Sequence, residues 1–157
     1  MDTPPVTRHS EAQSFSTAPT EVMTFLAAGD QSSPDIVTER LAPGDGPPLH
    51  RHPWVHWEVV TEGRIRAMVG EETFELEPGD MLYAPSGVPH TFMAVGDADA
   101  QVVGIYWPGG FHRLMAELEP LFDTGGPPDF GAVAETAARH GAEILGPPMA
   151  QLDGASG

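Results

Sequence analysis

Cysteine and lysine are both missing from this chain of 157 residues. Without cysteine there is no disulfide, no thiolate metal site and no cysteine nucleophile. Without lysine there is no Schiff-base chemistry on a side chain. All basic charge rests on seven arginines, against 23 acidic residues, for a formal net charge of −16. Nucleic acid needs a concentrated basic surface, so it is not an expected partner. Apolar runs of membrane-spanning length are also missing. The start, "MDTPPVTRHSEAQS", is acidic and Pro-rich and has no apolar core of a signal peptide. The expectation is a cytoplasmic protein with no membrane partner.

What is present reads as short β segments separated by turn residues. "EVMTFLA", "DIVTERL", "HWEVVT", "RIRAMV", "TFELE", "MLYA", "HTFMAV" and "QVVGIYW" alternate with "AGDQSSP", "APGDGPP", "GEE", "PGD", "PSGVP" and "GDADA". Such spacing predicts an all-β sandwich or barrel. Residues 1–18 lack periodicity and read as a flexible N-terminal arm or an edge segment, leaving the barrel at 19–108. Beyond it, 109–157 read as C-terminal helices and a tail. "FHRLMAELEPLF" has helical spacing, with Pro120 weakening its last turn. "DFGAVAETAARHG" reads as a second helix between an Asp129 N-cap and a Gly141 stop. "AEILGPP" reads as a short strand or an extended tail.

Three of the seven histidines crowd into "GDGPPLHRHPWVHWEVVTEG". In an extended strand residues i and i+2 share a face, so His50 and His52 aim at one point. His56 keeps the same phase unless a bulge intervenes. Imidazole suits zinc, iron, nickel and copper, so one divalent transition-metal ion is the natural occupant. A second segment, "GDMLYAPSGVPH", ends in His90 on a new strand. The remaining histidines, His9, His112 and His140, read as surface or satisfied core residues.

The two segments, G-x5-H-x-H and G-x5-P-x-G-x2-H, resemble the paired signature of the cupin superfamily. Gly44, His50 and His52 match the first; Gly79, Pro85, Gly87 and His90 match the second. The resemblance implies a single-domain jelly-roll β-barrel, here with a short helical C-terminal extension, holding a metal at its mouth. The family's usual carboxylate ligand lies seven residues before the Gly that closes the first motif. Counting back from Gly63 reaches His56, and the nearby glutamate, Glu58, stands two residues too far along. Ala94 replaces the Asn that ends the second motif. The implied shell is therefore His50, His52, His56 and His90.

An added histidine also gives the chain a resemblance to cupin-type cyclases of bacterial aromatic polyketide pathways. That implies zinc, a polyketide or phenolic small molecule as substrate, aldol-type ring closure and a place in antibiotic biosynthesis. Glu58 is the candidate proton acceptor, with metal-bound hydroxide as the alternative base. Trp54, Tyr83, Phe92 and Tyr106 are the aromatic residues a substrate pocket would draw on, and the same residues can equally serve as core. The tail "ARHGAEILGPP" resembles that of quercetinase-like monocupins, so a dioxygenase using Fe, Ni or Mn stays open, as does a non-catalytic small-molecule-binding cupin. A homodimer is the assembly expected from the family.

Overall fold

The computed structural model describes residues 4–18 and 20–156. A turn of 3-10 helix (His9–Glu11) leads into β1 (Gln13–Ala18), β2 (Glu21–Ala27), β3 (Asp35–Leu41), β4 (Pro48–Arg51), β5 (Val55–Glu62) and β6 (Arg64–Val69). Then follow β7 (Glu72–Leu76), β8 (Met81–Ala84), β9 (His90–Val95) and β10 (Ala100–Trp107). The chain ends in α1 (Phe111–Phe122), α2 (Phe130–Arg139), β11 (Glu143–Pro148) and α3 (Met149–Ser156).

The strands form two sheets, ordered β1-β2-β3-β10-β5-β8 and β11-β4-β9-β6-β7. Every pairing between named strands is antiparallel. Alternation turns one face of each sheet inward. Leu41, Val60, Leu82 and Val102 from the first sheet meet Ile65, Ala67, Phe92 and Ala94 from the second. Together they form a single buried cluster, the apolar floor of a jelly roll. Gly44 and Gly79, the first residues of the two motifs, have φ of +89° and +98°, so each motif opens on a turn that favours glycine.

A second apolar cluster lies above the floor. Phe15, Met23, Phe25, Val37 and Tyr106 pack under α1 through Met115. The helix is anchored by Asp35, a fully buried carboxylate. Its Oδ2 accepts from the Gly110 and His112 amides at 3.0 and 3.3 Å, and its Oδ1 accepts from the Gly29 amide at 2.6 Å. His112 Nδ1 lies 3.1 Å from the same Oδ1. One side chain thus caps α1 and ties it to the barrel.

Some boundaries differ from expectation. The stretch read as an arm up to residue 18 carries β1, so the sheet begins at Gln13, not at 19. "QSFSTA" has one large apolar residue, Phe15, and its strand state comes from pairing with β2 along the sheet edge. Residues 1–3 of the expected arm lie outside the described residues. Pro120 does not end α1. The hydrogen bond it removes would have ended on Ala116, which is exposed, so water can satisfy that carbonyl. Asp129 caps α2, its Oδ1 accepting from the Ala132 amide at 3.1 Å.

Candidate metal centre

Strand pairing brings the two motifs together. His50 of β4 lies directly opposite His90 of β9, and His52 follows at the end of β4. Ring centroids are 4.3 Å apart for His50–His90, 4.7 Å for His52–His90 and 5.3 Å for His50–His52. Each ring is held by a backbone carbonyl two residues away: His50 Nδ1 by Pro48 O at 2.7 Å, His52 Nδ1 by Trp54 O at 2.7 Å, and His90 Nδ1 by Val88 O at 2.9 Å. A carbonyl only accepts, so each Nδ1 carries the proton. Each Nε2 is then left with a free lone pair. His90 Nε2 is buried with no hydrogen-bond partner. The three side chains offer ligand atoms within 4.8 Å of one another. Burial pushes His50 down to about 3 and His52 down to about 4, helped by the neighbouring imidazoles. Burial also lowers His90. The set is therefore neutral at physiological pH, the state in which imidazole binds a metal. By donor type, orientation and protonation these residues fit a divalent transition metal.

His56 approaches from β5, in the facing sheet. It lies 4.9 Å from His90 and 5.3 Å from His52, ring centre to ring centre. It stands beside the convergent trio rather than within it. Its Nδ1 is 3.3 Å from His52 Nε2, while its Nε2 turns toward Glu58 Oε1 at 3.4 Å.

Glu58 faces inward, in phase with His56, and is fully buried. Tyr106 donates to its Oε1 at 3.0 Å, and its Oε2 has no partner. Gly104, opposite Glu58 on β10, makes room for the carboxyl. A Cβ there would stand 3.1 and 3.2 Å from its oxygens and 2.8 Å from the Tyr106 ring. Burial raises Glu58 to about 8, against the opposing effect of the Tyr106 hydrogen bond. Two more inward carboxyls, Glu21 and Glu39, hydrogen-bond each other nearby. Alternation allowed inward acids here, but β2 and β3 carry polar residues in both phases, so these two were missed.

The expected pocket aromatics separate. Trp54 lies flat on His52, centroids 4.3 Å apart with planes 5° from parallel. Tyr106 packs 4.8 Å from His56. Phe92 belongs to the apolar floor. Tyr83 points outward, 43% exposed, and stacks on Trp57. Its strand phase is set by pairing with β5, where Leu82 and Ala84 take the inward positions beside Glu58 and His56. Tyr83 therefore faces away from the histidines and lines the groove between β7 and β8. Phe111, which the sequence did not single out, contacts both Trp54 and Tyr106 from the start of α1.

Beside Trp54 opens a cleft of about 380 Å³, bounded by Pro53, Pro108, Phe111 and Arg113. A larger groove of about 430 Å³ lies between the free edges of β7 and β8. None of His50, His52, His56 and His90 lines either one; the smaller cleft reaches the cluster through Trp54, which lies on His52.

Residues 37–106 match the cupin domain family, Cupin_2. No curated protein matches the sequence. Among solved structures, the cupin-2 domain protein Rru_A2000 of Rhodospirillum rubrum is 25% identical with a TM-score of 0.52, the match covering 60% of this chain and 66% of that one. KdgF of Halomonas sp. is 18% identical with a TM-score of 0.60, covering 68% and 97%. The polyketide cyclase RemF of Streptomyces resistomycificus is 19% identical with a TM-score of 0.55, covering 66% and 78%. Likenesses as remote as the last two speak for the fold alone. With paired motifs, two facing antiparallel sheets and a histidine cluster between them, the chain carries a cupin domain over residues 37–106, extended by strands before it and helices after it.

Proposed function

We propose that the protein is a divalent-metal-dependent cyclase, with zinc as the ion, that closes a ring in a polyketide or phenolic small molecule by aldol condensation. His50, His52 and His90 hold the ion through Nε2, and His56 adds Nδ1 as a fourth donor. His56 Nδ1 and His52 Nε2 lie 3.3 Å apart, near enough that both would reach one ion. Bound there by four neutral donors, the ion supplies Lewis acidity toward a carbonyl oxygen.

The observation that carries the reading is a fully buried carboxyl, Glu58, 3.4 Å from His56 and beside an all-imidazole donor set. A carboxyl so placed can take a proton from an acidic methylene and return it. Oε2 of Glu58, without a partner, is the atom that takes it; the Tyr106 hydroxyl steadies Oε1. Trp54 and Phe111, their planes 40° apart, give the cleft the apolar lining against which a substrate is held in one conformation.

One observation favours a second reading. β11, from the tail that resembles quercetinase-like monocupins, pairs with β4 at His50 through Ile144. Iron, nickel or manganese in the same imidazoles would then serve a dioxygenase. The deciding experiment loads the purified protein with each metal in turn. Ring closure of a poly-β-ketone with zinc supports the cyclase; oxygen uptake with a flavonol and a redox-active metal supports the dioxygenase. Binding without turnover in either assay would leave a non-catalytic small-molecule-binding cupin. As assembly we propose a homodimer, since Phe74, Met81 and Tyr83 expose apolar surface along the free edges of β7 and β8. Light scattering tests it.

A further inference from the structure

Four of the chain's seven arginines are neutralised by carboxylates. Arg40 lies near Asp99, Arg51 on Glu143, Arg66 on Glu75 and Arg139 on Glu117. Arg113 has no carboxylate partner among the described residues, despite an acid excess of 16 charges. It lies in the first turn of α1, exposed, on the wall of the cleft beside Trp54. Its Nη1 lies 3.4 Å from where a Cβ on Gly110 would stand, so the guanidinium folds back over glycines that also line the cleft. The neighbouring helix-terminal amides of Gly110 and His112 are taken by Asp35, so they do not compete with the guanidinium as donors there. His140, across the cleft, is engaged by Glu117 at 3.2 Å. Trp54 brings a buried indole N–H with no acceptor among the described residues.

A free guanidinium beside an apolar, aromatic-lined cleft has a specific complement. Its planar fork matches a carboxylate in two parallel hydrogen bonds, while the apolar lining of Pro53, Trp54, Pro108 and Phe111 matches an unsaturated ring or chain. The volume of about 380 Å³ suits one small molecule. The net negative charge of the protein opposes an anion at long range. That field is screened beyond about 8 Å at physiological salt, so the local guanidinium decides binding.

We infer that the cleft between Trp54 and Arg113 binds the acidic end of the substrate, which is a flat, unsaturated carboxylic acid held by Arg113 with its ring or chain along Trp54 and Phe111. This rests on the proposed function for the metal centre and narrows its substrate to free acids rather than esters or amides.

The test titrates the metal-replete protein calorimetrically with 2-naphthoate and with 2-naphthamide, a neutral analogue of similar shape. The acid binds about tenfold or more tightly than the amide, the worth of a charge-assisted hydrogen bond. Arg113→Gln removes the difference, Arg113→Lys keeps part of it, and Arg64→Gln leaves it unchanged. Equal affinities in the unaltered protein, no binding of either compound, or a preference that survives in Arg113→Gln would overturn the inference; the last outcome would assign the acid to the metal instead. The readout is binding without turnover. An Arg113-dependent preference therefore stands even where no ring closure is found, and a cyclase without that preference loses only the anchor.

Discussion

Trp54 holds His52 in two ways. Its indole lies flat on the imidazole, centroids 4.3 Å apart, and its carbonyl oxygen accepts the Nδ1 proton at 2.7 Å. The first contact depends on the side chain, the second on the backbone. Trp54→Ala therefore keeps the tautomer of His52 but frees its ring to tilt. Loss of such orienting contacts typically weakens a metal about tenfold to a hundredfold. Competition against a chelator of known affinity measures this, and Trp54→Phe should recover most of the loss. Unchanged affinity in Trp54→Ala would mean that the carbonyl alone orients His52.

Glu58 and Tyr106 form the proposed proton-handling pair. Glu58→Gln preserves shape and removes the titrating carboxyl, so the variant should fold, keep its metal and lose about 10²-fold or more in rate. Tyr106→Phe removes the hydrogen bond that lowers Glu58, so the acidic limb of a pH–rate profile, where the base loses its proton, should move to higher pH. A Glu58→Gln enzyme with undiminished rate would pass the base role to metal-bound hydroxide.

Glu39 is buried and hydrogen-bonded to Glu21, and it is held well above the usual carboxylate range by burial first and by the charges of Glu21 and Glu58 next. Its proton is bound in the folded state and lost in the unfolded state once pH exceeds about 4.5, the ordinary glutamate value. The folded state then binds more protons, so stability falls as pH rises from there through the folded pKa. Thermal unfolding at pH 7 and pH 9 should show a lower midpoint at pH 9, beyond the range where the histidines titrate. Glu39→Gln should flatten that fall. Equal pH dependence in the variant would show that Glu39 is already ionised in the fold.

Much of this architecture is legible in the sequence, and the gaps have identifiable causes. β2, β3, β6, β8 and β9 run over the segments where turn residues and strand formers place them. The metal motifs were legible because strand phase and fixed spacing make His50, His52 and His90 converge. Tyr83 was misplaced because "MLYA" is apolar at every position, so its phase is set only by pairing with β5. β1 falls in the stretch read as an arm or an edge segment, and local pattern could not choose between them because a short polar edge strand depends on its neighbour. The role of Asp35 joins Gly29, Gly110 and His112, contacts across 77 residues that no local pattern carries. Glu58 was placed inward correctly by alternation, but its contacts with Tyr106 and His56 required the sheet.

The most direct measurement is the metal content of the purified protein and of His90→Ala. His90 joins the two motifs and its Nε2 is buried without a partner. Elemental analysis after dialysis should find close to one divalent ion per chain in the unaltered protein and little in His90→Ala, with the fold retained by circular dichroism. Full occupancy in His90→Ala, or an unaltered protein that takes up no divalent ion when one is supplied, would contradict a metal centre built on these histidines.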